Sequence, residues 1–335
     1  MTASAVTPDC RRLHGRAVAA LMLCALLVTV VTTHAASLPG GPVRILVAYP
    51  PGGVSDTIAR ALAERAALQL GSPVIVENRP GAGGVVAMES LKHAPPDGRT
   101  LVFSAVSPLT MAAQSGPTDF NPDKDVTPVM SVMVTPVLVL GTAALRGDTL
   151  AAVIDAARAQ PGAVRWVTSG VGTTGHRVLE QVRASSGVDI THVPYKGGGQ
   201  QIADALAGEF EVLSSNAGEL QFKYVREGRL KALAVGAPAR LAVLPGVPTL
   251  AEVGFPAANL SSTFGLFASG RTPPQVVSML NRAFEAALRD PEIRRRLHEA
   301  GNVATGGTAA AFAEQIARER EASGNLGRGA ARLAR

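Results

Sequence analysis

Residues 43–56 read VRILVAYPPGGVSD, and this stretch decides the fold of the chain. Its mostly apolar first half predicts a buried strand, Val43–Tyr49. The two prolines and two glycines end the strand, and Ser55 and Asp56 open a helix whose apolar residues recur at helical spacing. A strand, a glycine-rich turn and a helix start together form a potential anion site, because free N–H groups and the helix dipole point at the turn.

A second stretch, residues 168–176, repeats this arrangement with the sequence TSGVGTTGH. It ends an apolar run, Val164–Thr168, and precedes a predicted helix. Either turn alone is equally well explained as a tight turn with a helix cap. Two such turns, one in each of two domains that face each other, would hold one small anion between them.

The length and the alternation of elements predict the domain organisation. A chain of 335 residues suggests about two domains, since a single core rarely grows past roughly 250–300 residues. Past residue 40, short apolar runs alternate with amphipathic stretches, which is typical of α/β domains with largely parallel sheets. We predict a first domain of residues 37–138 plus 267–335 and an inserted second domain of residues 139–266. The chain would cross between them near Val137–Leu140 and Phe264–Phe267, and Val126–Met133 is predicted as a separate strand.

The first 36 residues have the three-part pattern of a secretory signal peptide. Arg11, Arg12 and Arg16 precede an apolar run, Ala17–Val31, and cleavage candidates follow at residues 33–36. The run is short for a membrane span, and an uncleaved anchor is the alternative. We therefore predict a periplasmic protein, exported by a cleaved signal peptide.

The cysteine positions argue against disulfides and thiol chemistry, and the charge argues against nucleic-acid binding. Both cysteines, Cys10 and Cys24, lie in the segment predicted to be removed, so we expect no disulfide and no thiol chemistry. The net charge of +6 comes partly from arginines near the two chain ends, which leaves the body close to neutral. A nucleic-acid partner is therefore not predicted.

Gly170, Gly172 and Gly175 form the G-x-G-x-x-G pattern of dinucleotide sites. That pattern needs an acidic residue at the C-terminal end of the next strand, where the ribose binds. Asp189 has the right separation but precedes the predicted strand Ile190–Val193. We therefore expect no nucleotide cofactor.

The sequence shows few of the residue arrangements that are typical of catalytic or metal sites. The histidines are scattered without metal-ligand spacing, and no G-x-S-x-G elbow occurs. We predict no catalytic residue, no metal and no enzyme activity. An exported hydrolase that uses Ser169 and His176 is the rival interpretation.

Seven motifs follow one another along the chain, at residues 47–56, 76–84, 94–100, 168–176, 192–197, 228–235 and 244–249. They read VAYPPGGVSD, VENRPGAGG, APPDGRT, TSGVGTTGH, HVPYKG, GRLKALAV and LPGVPT. Together they resemble the extracytoplasmic solute receptors of tripartite tricarboxylate transporters, the TctC or Bug family, over about residues 40–320. The resemblance implies an α/β fold of the type II periplasmic-binding-protein class, with two domains joined by crossing strands and a ligand cleft.

The resemblance also implies a role and partners. Such a receptor is a monomer that captures a small carboxylate and delivers it to the membrane subunits of a tripartite tricarboxylate-type transporter. An orphan receptor that signals to a membrane sensor kinase is the alternative.

The ligand site implied by the resemblance is formed by the two glycine-rich turns, the turn at residues 195–197 and the loop after Ser104. Its ligand-binding residues are Tyr49, Gly52, Gly53, Ser55, Asp56, Ser104, Ser169, Gly170, Gly172, Thr173, His176, Tyr195, Lys196 and Asn216. One departure from the family pattern is Val54, which stands where a small residue is common and narrows the first turn.

A second departure concerns the ligand class. Aligned on residues 228–235, Asn216 takes a place where the family usually has Asp. An aspartate there would meet a ligand's ammonium group, whereas asparagine keeps the hydrogen bonding without the charge. We predict that a simple carboxylate or a dicarboxylate is preferred over a zwitterionic amino acid. In the alternative, Asn216 caps the following helix and does not face the ligand.

Overall fold

The computed structural model describes residues 40–110 and 119–333, together with residue 2. The segment predicted to direct export, residues 1–36, lies outside these residues apart from residue 2. Over the described ranges, no helix combines the length and the apolar character needed to cross a membrane.

The elements up to the middle of the chain alternate strand and helix. They are β1 (Val43–Val47), α1 (Val54–Leu70), β2 (Val74–Asn78), α2 (Val85–His93), β3 (Thr100–Ala105), the short helices α3 (Ser107–Thr110) and α4 (Pro122–Asp125), and β4 (Val126–Gly141).

The remaining elements continue the alternation and end in helices. They are α5 (Leu150–Ala159), β5 (Arg165–Thr168), α6 (Thr174–Ser186), β6 (Thr191–Pro194), α7 (Gly198–Ala207), β7 (Val212–Asn216), α8 (Glu219–Arg226), β8 (Lys231–Gly236), β9 (Ser261–Ser269), α9 (Pro274–Leu288), α10 (Pro291–Glu299), β10 (Val303–Ala304) and α11 (Ala309–Leu333).

The strands form two sheets. The first has the order β2-β1-β3-β9-β4, with β10 beside β4, and its strands β1, β2 and β3 are parallel. The second has the order β8-β4-β7-β5-β6, with β5, β6 and β7 parallel. Strand β4 belongs to both, since residues 126–136 pair with β9 and residues 137–141 pair with β7 and β8.

The prediction of two separate strands in this region is wrong, because β4 is continuous over 16 residues. Pro136 lies where β4 passes from one sheet to the other. Its fixed φ suits an extended chain, and its carbonyl accepts the N–H of Ala217 at 2.8 Å. A proline is tolerated in a strand where no ladder bond needs its missing N–H.

Strand β9 carries the chain back into the first sheet. It pairs with β4 along its whole length, from Ser261 opposite Pro136 to Ser269 opposite Val126. The predicted return crossing, residues 264–267, therefore lies inside this strand. The proposed domain boundaries at 138/139 and 266/267 stay a prediction.

Both faces of each sheet are buried, as the continuous apolar runs require. In β1, Ile45 packs into the core on one face of the first sheet and Leu46 into the core on the other. In β4, Val139 packs into the core on one face of the second sheet and Leu140 into the core on the other. Successive side chains of a strand point to opposite faces, so each sheet is covered by helices on both sides.

The packing of β9 predicts a large effect of one added methyl group. A Cβ built on Gly265 would lie 2.2 Å from Cζ of Phe312 and 2.6 Å from the carbonyl oxygen of Met130. We expect Gly265→Ala to lower the free energy of unfolding by about 1–3 kcal/mol, the usual cost of overpacking, in urea unfolding experiments. The control is Gly246→Ala, because nothing lies within 4 Å of a Cβ at that position. Equal stability of the two variants would contradict the prediction.

Candidate functional site

A cavity of about 940 Å³ is lined by the turn before α1, by the starts of α7 and α8 and by the end of α10. Six of the residues predicted for the ligand site line it: Tyr49, Gly52, Gly53, Ser55, Ser169 and Asn216. They come from both glycine-rich turns and from the end of β7. The fold thus brings residues about 170 positions apart in sequence to one cavity, although the ligand-binding role of each stays a prediction.

The first turn leaves backbone donors at the start of α1. Gly53 is the N-cap, and the first helical hydrogen bond runs from the N–H of Thr57 to its carbonyl at 3.0 Å. The N–H groups of the three residues between them therefore have no partner inside the helix. A helix of 17 residues adds its dipole at this end.

Asp56 lies just behind this turn and supports it. Its carboxylate accepts the N–H of Gly52 at 3.0 Å and the amide of Asn78 at 2.9 Å, and it forms an ion pair with Arg60 at 3.0 Å. Burial raises the pKa of Asp56, but the hydrogen bonds from Arg60, Gly52 and Asn78 outweigh it, so the pKa lies below its usual value. Asp56 does not line the cavity.

Tyr49 also lines the cavity. Its hydroxyl accepts the N–H of Ala105 at 3.3 Å, and its ring packs against Phe264 at 5.7 Å between centroids. Burial raises the pKa of Tyr49 above its usual value, so the phenol stays neutral.

The second turn is held by its own side chains. Thr173 is the N-cap of α6: its hydroxyl accepts the N–H of His176 at 3.3 Å and donates to the carbonyl of Gly170 at 2.8 Å. The N–H of Gly172 donates to Nδ1 of His176 at 3.3 Å. Of the predicted residues in this turn, Ser169 lines the cavity, whereas these four support the turn from behind.

At two glycines, a turn that follows a strand of the second sheet lies against a turn that follows a strand of the first sheet. A Cβ on Gly170 would lie 3.2 Å from the backbone nitrogen of Gly83, in the turn before α2. A Cβ on Gly197, before α7, would lie 2.4 Å from Cδ of Pro50. Both glycines have positive φ, +135° and +148°, which other residues rarely adopt.

Behind the second turn, the rings of His176 and His192 stack at 4.3 Å between centroids. Nε2 of His192 is 2.7 Å from the hydroxyl of Thr168. Burial, and then His176 and Arg183, lowers the pKa of His192 to about 4, partly opposed by Glu180. Burial also lowers the pKa of His176, so both rings are neutral near neutral pH.

The remaining predicted residues lie outside the cavity lining. The hydroxyl of Tyr195 donates to Asp204 at 2.6 Å, and burial followed by this bond raises the pKa of Tyr195 to about 12. Lys196 is exposed. Ser104 is buried, and its hydroxyl lies 2.9 Å from the position of a Cβ on Gly84.

Asn216 does not cap the helix that follows it. The N-cap of α8 is Gly218, with no side-chain cap, and the carboxamide oxygen of Asn216 accepts the hydroxyl of Ser262 at 2.9 Å. Asn216 lines the cavity at the end of β7, and its contact with a ligand stays a prediction.

Sequence reasoning missed part of the lining. The polar and charged residues that it missed are Thr57, Gln201, Ser215, Glu219, Gln221, Lys223, Arg226, Arg296 and Glu299. One of them carried a signal, because Gln201 shares a buried helix face with Ile202 and Ala205, where the pattern calls for an apolar residue. The others stand on helices or, for Ser215, on β7, and their placement at the cavity depends on the tertiary fold.

The geometry gives no support to the hydrolase interpretation. The ring nitrogens of His176 face Gly172 at 3.3 Å and Glu180 at 3.7 Å, and no hydrogen bond joins this ring to Ser169 within the described residues. The described part of the chain also contains no group of His, Cys, Asp and Glu side chains arranged to hold a metal ion.

Comparison with known proteins gives a consistent result. The model of the family described as "Tripartite tricarboxylate transporter family receptor" (TctC) matches residues 58–328. Protein BugT of Bordetella pertussis is 34% identical over 257 residues, which are 76% of this chain and 78% of BugT.

Two solved structures from Rhodopseudomonas palustris are also similar. MatC (Rpa3494) with bound malate is 29% identical with a TM-score of 0.76, over 85% of this chain and 99% of MatC. Rpa4515 with adipate is 28% identical with a TM-score of 0.80, over 88% of this chain and 98% of Rpa4515. The expected fold class is α/β with the two-domain periplasmic-binding-protein arrangement. The similarity of this chain to solved periplasmic binding proteins confirms it.

The histidine pair predicts a loss of stability in acid. The pKa of His192 is about 4 in the folded protein, so between about pH 6.5 and about pH 4 the unfolded chain binds a proton that the folded chain does not. The free energy of unfolding therefore falls as the pH drops through this window, and the loss is complete below about pH 4. We expect His192→Gln to reduce the fall in Tm between about pH 7 and about pH 4.5.

The matched control for this prediction is His298→Gln, an exposed position on α10. It should show the wild-type fall in Tm. An unchanged fall in the His192→Gln protein would contradict the prediction.

Proposed function

Because the chain belongs to the tripartite tricarboxylate transporter receptor family, we propose that it captures a small carboxylate in the cavity described above and delivers it to the membrane subunits of such a transporter. The family is one of solute-binding receptors rather than enzymes. Export to the periplasm by a cleaved signal peptide is part of this proposal.

One observation carries the proposal: both anion-binding turns contribute to the same cavity. The start of α1 offers three backbone N–H groups without helical partners, and Ser55 and Ser169 add hydroxyls from the two turns. Such donors, together with the helix dipole, favour a carboxylate over a neutral or cationic group. The bound malate and adipate of MatC and Rpa4515 agree with a carboxylate ligand.

The cationic side chains of the cavity favour a second negative charge on the ligand. Lys223, Arg226 and Arg296 line the cavity together with the carboxylates of Glu219 and Glu299. Arg296 is paired with Glu292 at 2.8 Å and Lys223 with Glu227 at 3.9 Å. Arg226 is exposed and has no ion-pair partner among the described residues, so it can pair with the distal carboxylate of a dicarboxylate.

Ligand capture would involve movement about the strands that join the two sheets. Strands β4 and β9 provide the connections, since β4 runs through both sheets and β9 returns the chain to the first. Closure of such a cleft is driven by ligand contacts that exist only in the closed state. We propose residues 37–138 plus 267–335 and residues 139–266 as the two moving domains.

The neutral side chain of Asn216 predicts the ligand preference. We expect succinate to bind more tightly than aspartate by about tenfold or more in calorimetric titrations, because Asn216 offers the ammonium group no charge-assisted partner. Asn216→Asp should weaken succinate binding and narrow this ratio. Asn121→Asp is the control, since Asn121 is an exposed N-cap outside the cavity where Asp serves equally well. Tighter binding of aspartate by the wild-type protein would contradict the ligand class but not the receptor assignment.

Arg226 predicts a difference between dicarboxylates and monocarboxylates. We expect Arg226→Gln to weaken succinate binding by about three- to tenfold, with less effect in high salt, and to leave butyrate binding nearly unchanged. Arg282→Gln makes the same change of charge on α9, outside the cavity lining, and should bind like the wild type. An equal loss for succinate and butyrate would show that Arg226 does not meet the second carboxylate.

A further inference from the structure

Gln201 is the exception among the polar side chains of the cavity. Its side chain is fully buried, with 0% exposure, and neither its amide nitrogen nor its amide oxygen has a hydrogen-bond partner in the described structure. It nevertheless lines the cavity. A buried amide without partners carries a desolvation cost, so such groups in native proteins call for an explanation.

The position of Gln201 explains why the chain itself offers no partner. It stands in the first turn of α7, and the next residue, Ile202, is buried as well. The backbone at Gly197, just before this helix, is in contact with Pro50, which has no N–H to donate. Because Gln201 lines the cavity, a molecule bound there is the remaining source of a partner for the amide.

Two polar groups of the lining at the end of β7 have partners within the chain. Ser215 accepts a hydrogen bond from the side-chain amide of Gln221 at 2.9 Å, and Asn216 accepts one from Ser262 at 2.9 Å. Gln201 therefore differs from its neighbours in having both a donor and an acceptor left for a molecule in the cavity.

We propose that Gln201 is a ligand-contacting specificity residue that selects a carboxylate with a hydroxyl group on the adjacent carbon. Its Nε2–H donates to a carboxylate oxygen, and its Oε1 accepts the ligand hydroxyl. A 2-hydroxycarboxylate presents this acceptor and this donor side by side, so one ligand satisfies both halves of the amide. This inference rests on the proposed receptor function and adds the substrate class to it.

An ammonium group would also donate to Oε1, but the charges of the lining oppose it. The lining contains three cationic side chains, on Lys223, Arg226 and Arg296, and two carboxylates, on Glu219 and Glu299. A further positive charge on the ligand would be disfavoured in this setting. A neutral hydroxyl provides the donor without that penalty.

The test compares malate with succinate, which differ by the hydroxyl alone, on the full chain by calorimetry. We expect the wild type to bind one enantiomer of malate at least about tenfold more tightly than succinate. In Gln201→Leu this preference should disappear, because malate loses two hydrogen bonds to the amide whereas succinate loses only the one to its carboxylate. Gln200→Leu is the matched control, because Gln200 is the exposed neighbour on the same helical turn and should keep the preference.

A second readout separates ligand recognition from a structural role. Without ligand, Gln201→Leu should melt at the wild-type temperature or above it, since an unsatisfied buried amide is replaced by an apolar group of similar size. A lower Tm would show that Gln201 supports the fold. If Gln201→Leu does not fold, Gln201→Met provides the same comparison with an unbranched side chain.

Three binding results would overturn the inference. They are equal affinity of the wild type for malate and succinate, an equal loss of both ligands in Gln201→Leu, and tighter binding of succinamate than of malate, which would assign Gln201 to a carboxamide. If the wild type binds succinate without preferring malate, the receptor proposal stands and the role of Gln201 fails. If it binds no carboxylate at all, the receptor proposal itself fails.

Discussion

The continuity of β4 is the constraint on which the rest of the structure depends. Among the described strands, it alone pairs in both sheets, with β9 before Val137 and with β7 and β8 from there on. Because one backbone passes through both sheets, the carboxyl ends of their parallel strands, and the turns that follow β1 and β5, are placed relative to each other by backbone hydrogen bonds. The groups of two distant stretches of sequence therefore line the same cavity.

Each glycine-rich turn already supplies one backbone donor to its own helix. The carboxylate of Asp56 accepts a hydrogen bond from the N–H of Gly52, and Nδ1 of His176 accepts one from the N–H of Gly172. The first of these internal acceptors is a carboxylate, and its ion pair with Arg60 offsets the negative charge that it adds behind the site. The donors that remain for the proposed anion are those at the start of α1 and the serine hydroxyls, and the lining adds the cations Lys223, Arg226 and Arg296.

Local sequence patterns were sufficient to predict some features of the fold and of the candidate site, but not others. Strand β1, the turn at residues 50–53 and the helix after it follow from apolar runs and turn residues alone, and the order of motifs was sufficient to identify the family. The unbroken β4 did not follow, because Pro136 reads as a break until its neighbours in both sheets are known. The stack of His176 on His192 joins a helix start to the next strand and depends on tertiary packing. Gln201 left one trace, a polar residue on an apolar helix face, which became informative only when the cavity was located.

The glycine contacts have a consequence for the equilibrium between conformations. A side chain at Gly170 or Gly197 would act as a wedge between Gly83 and the second turn, or between Pro50 and α7, and neither glycine lines the cavity. Such a wedge would lower the population of the conformation described here, and the apparent dissociation constant rises in inverse proportion to the fraction of molecules that can bind. A tenfold smaller fraction means an affinity about tenfold weaker, with every ligand contact intact. Affinity in this protein can therefore be adjusted from positions outside the cavity lining.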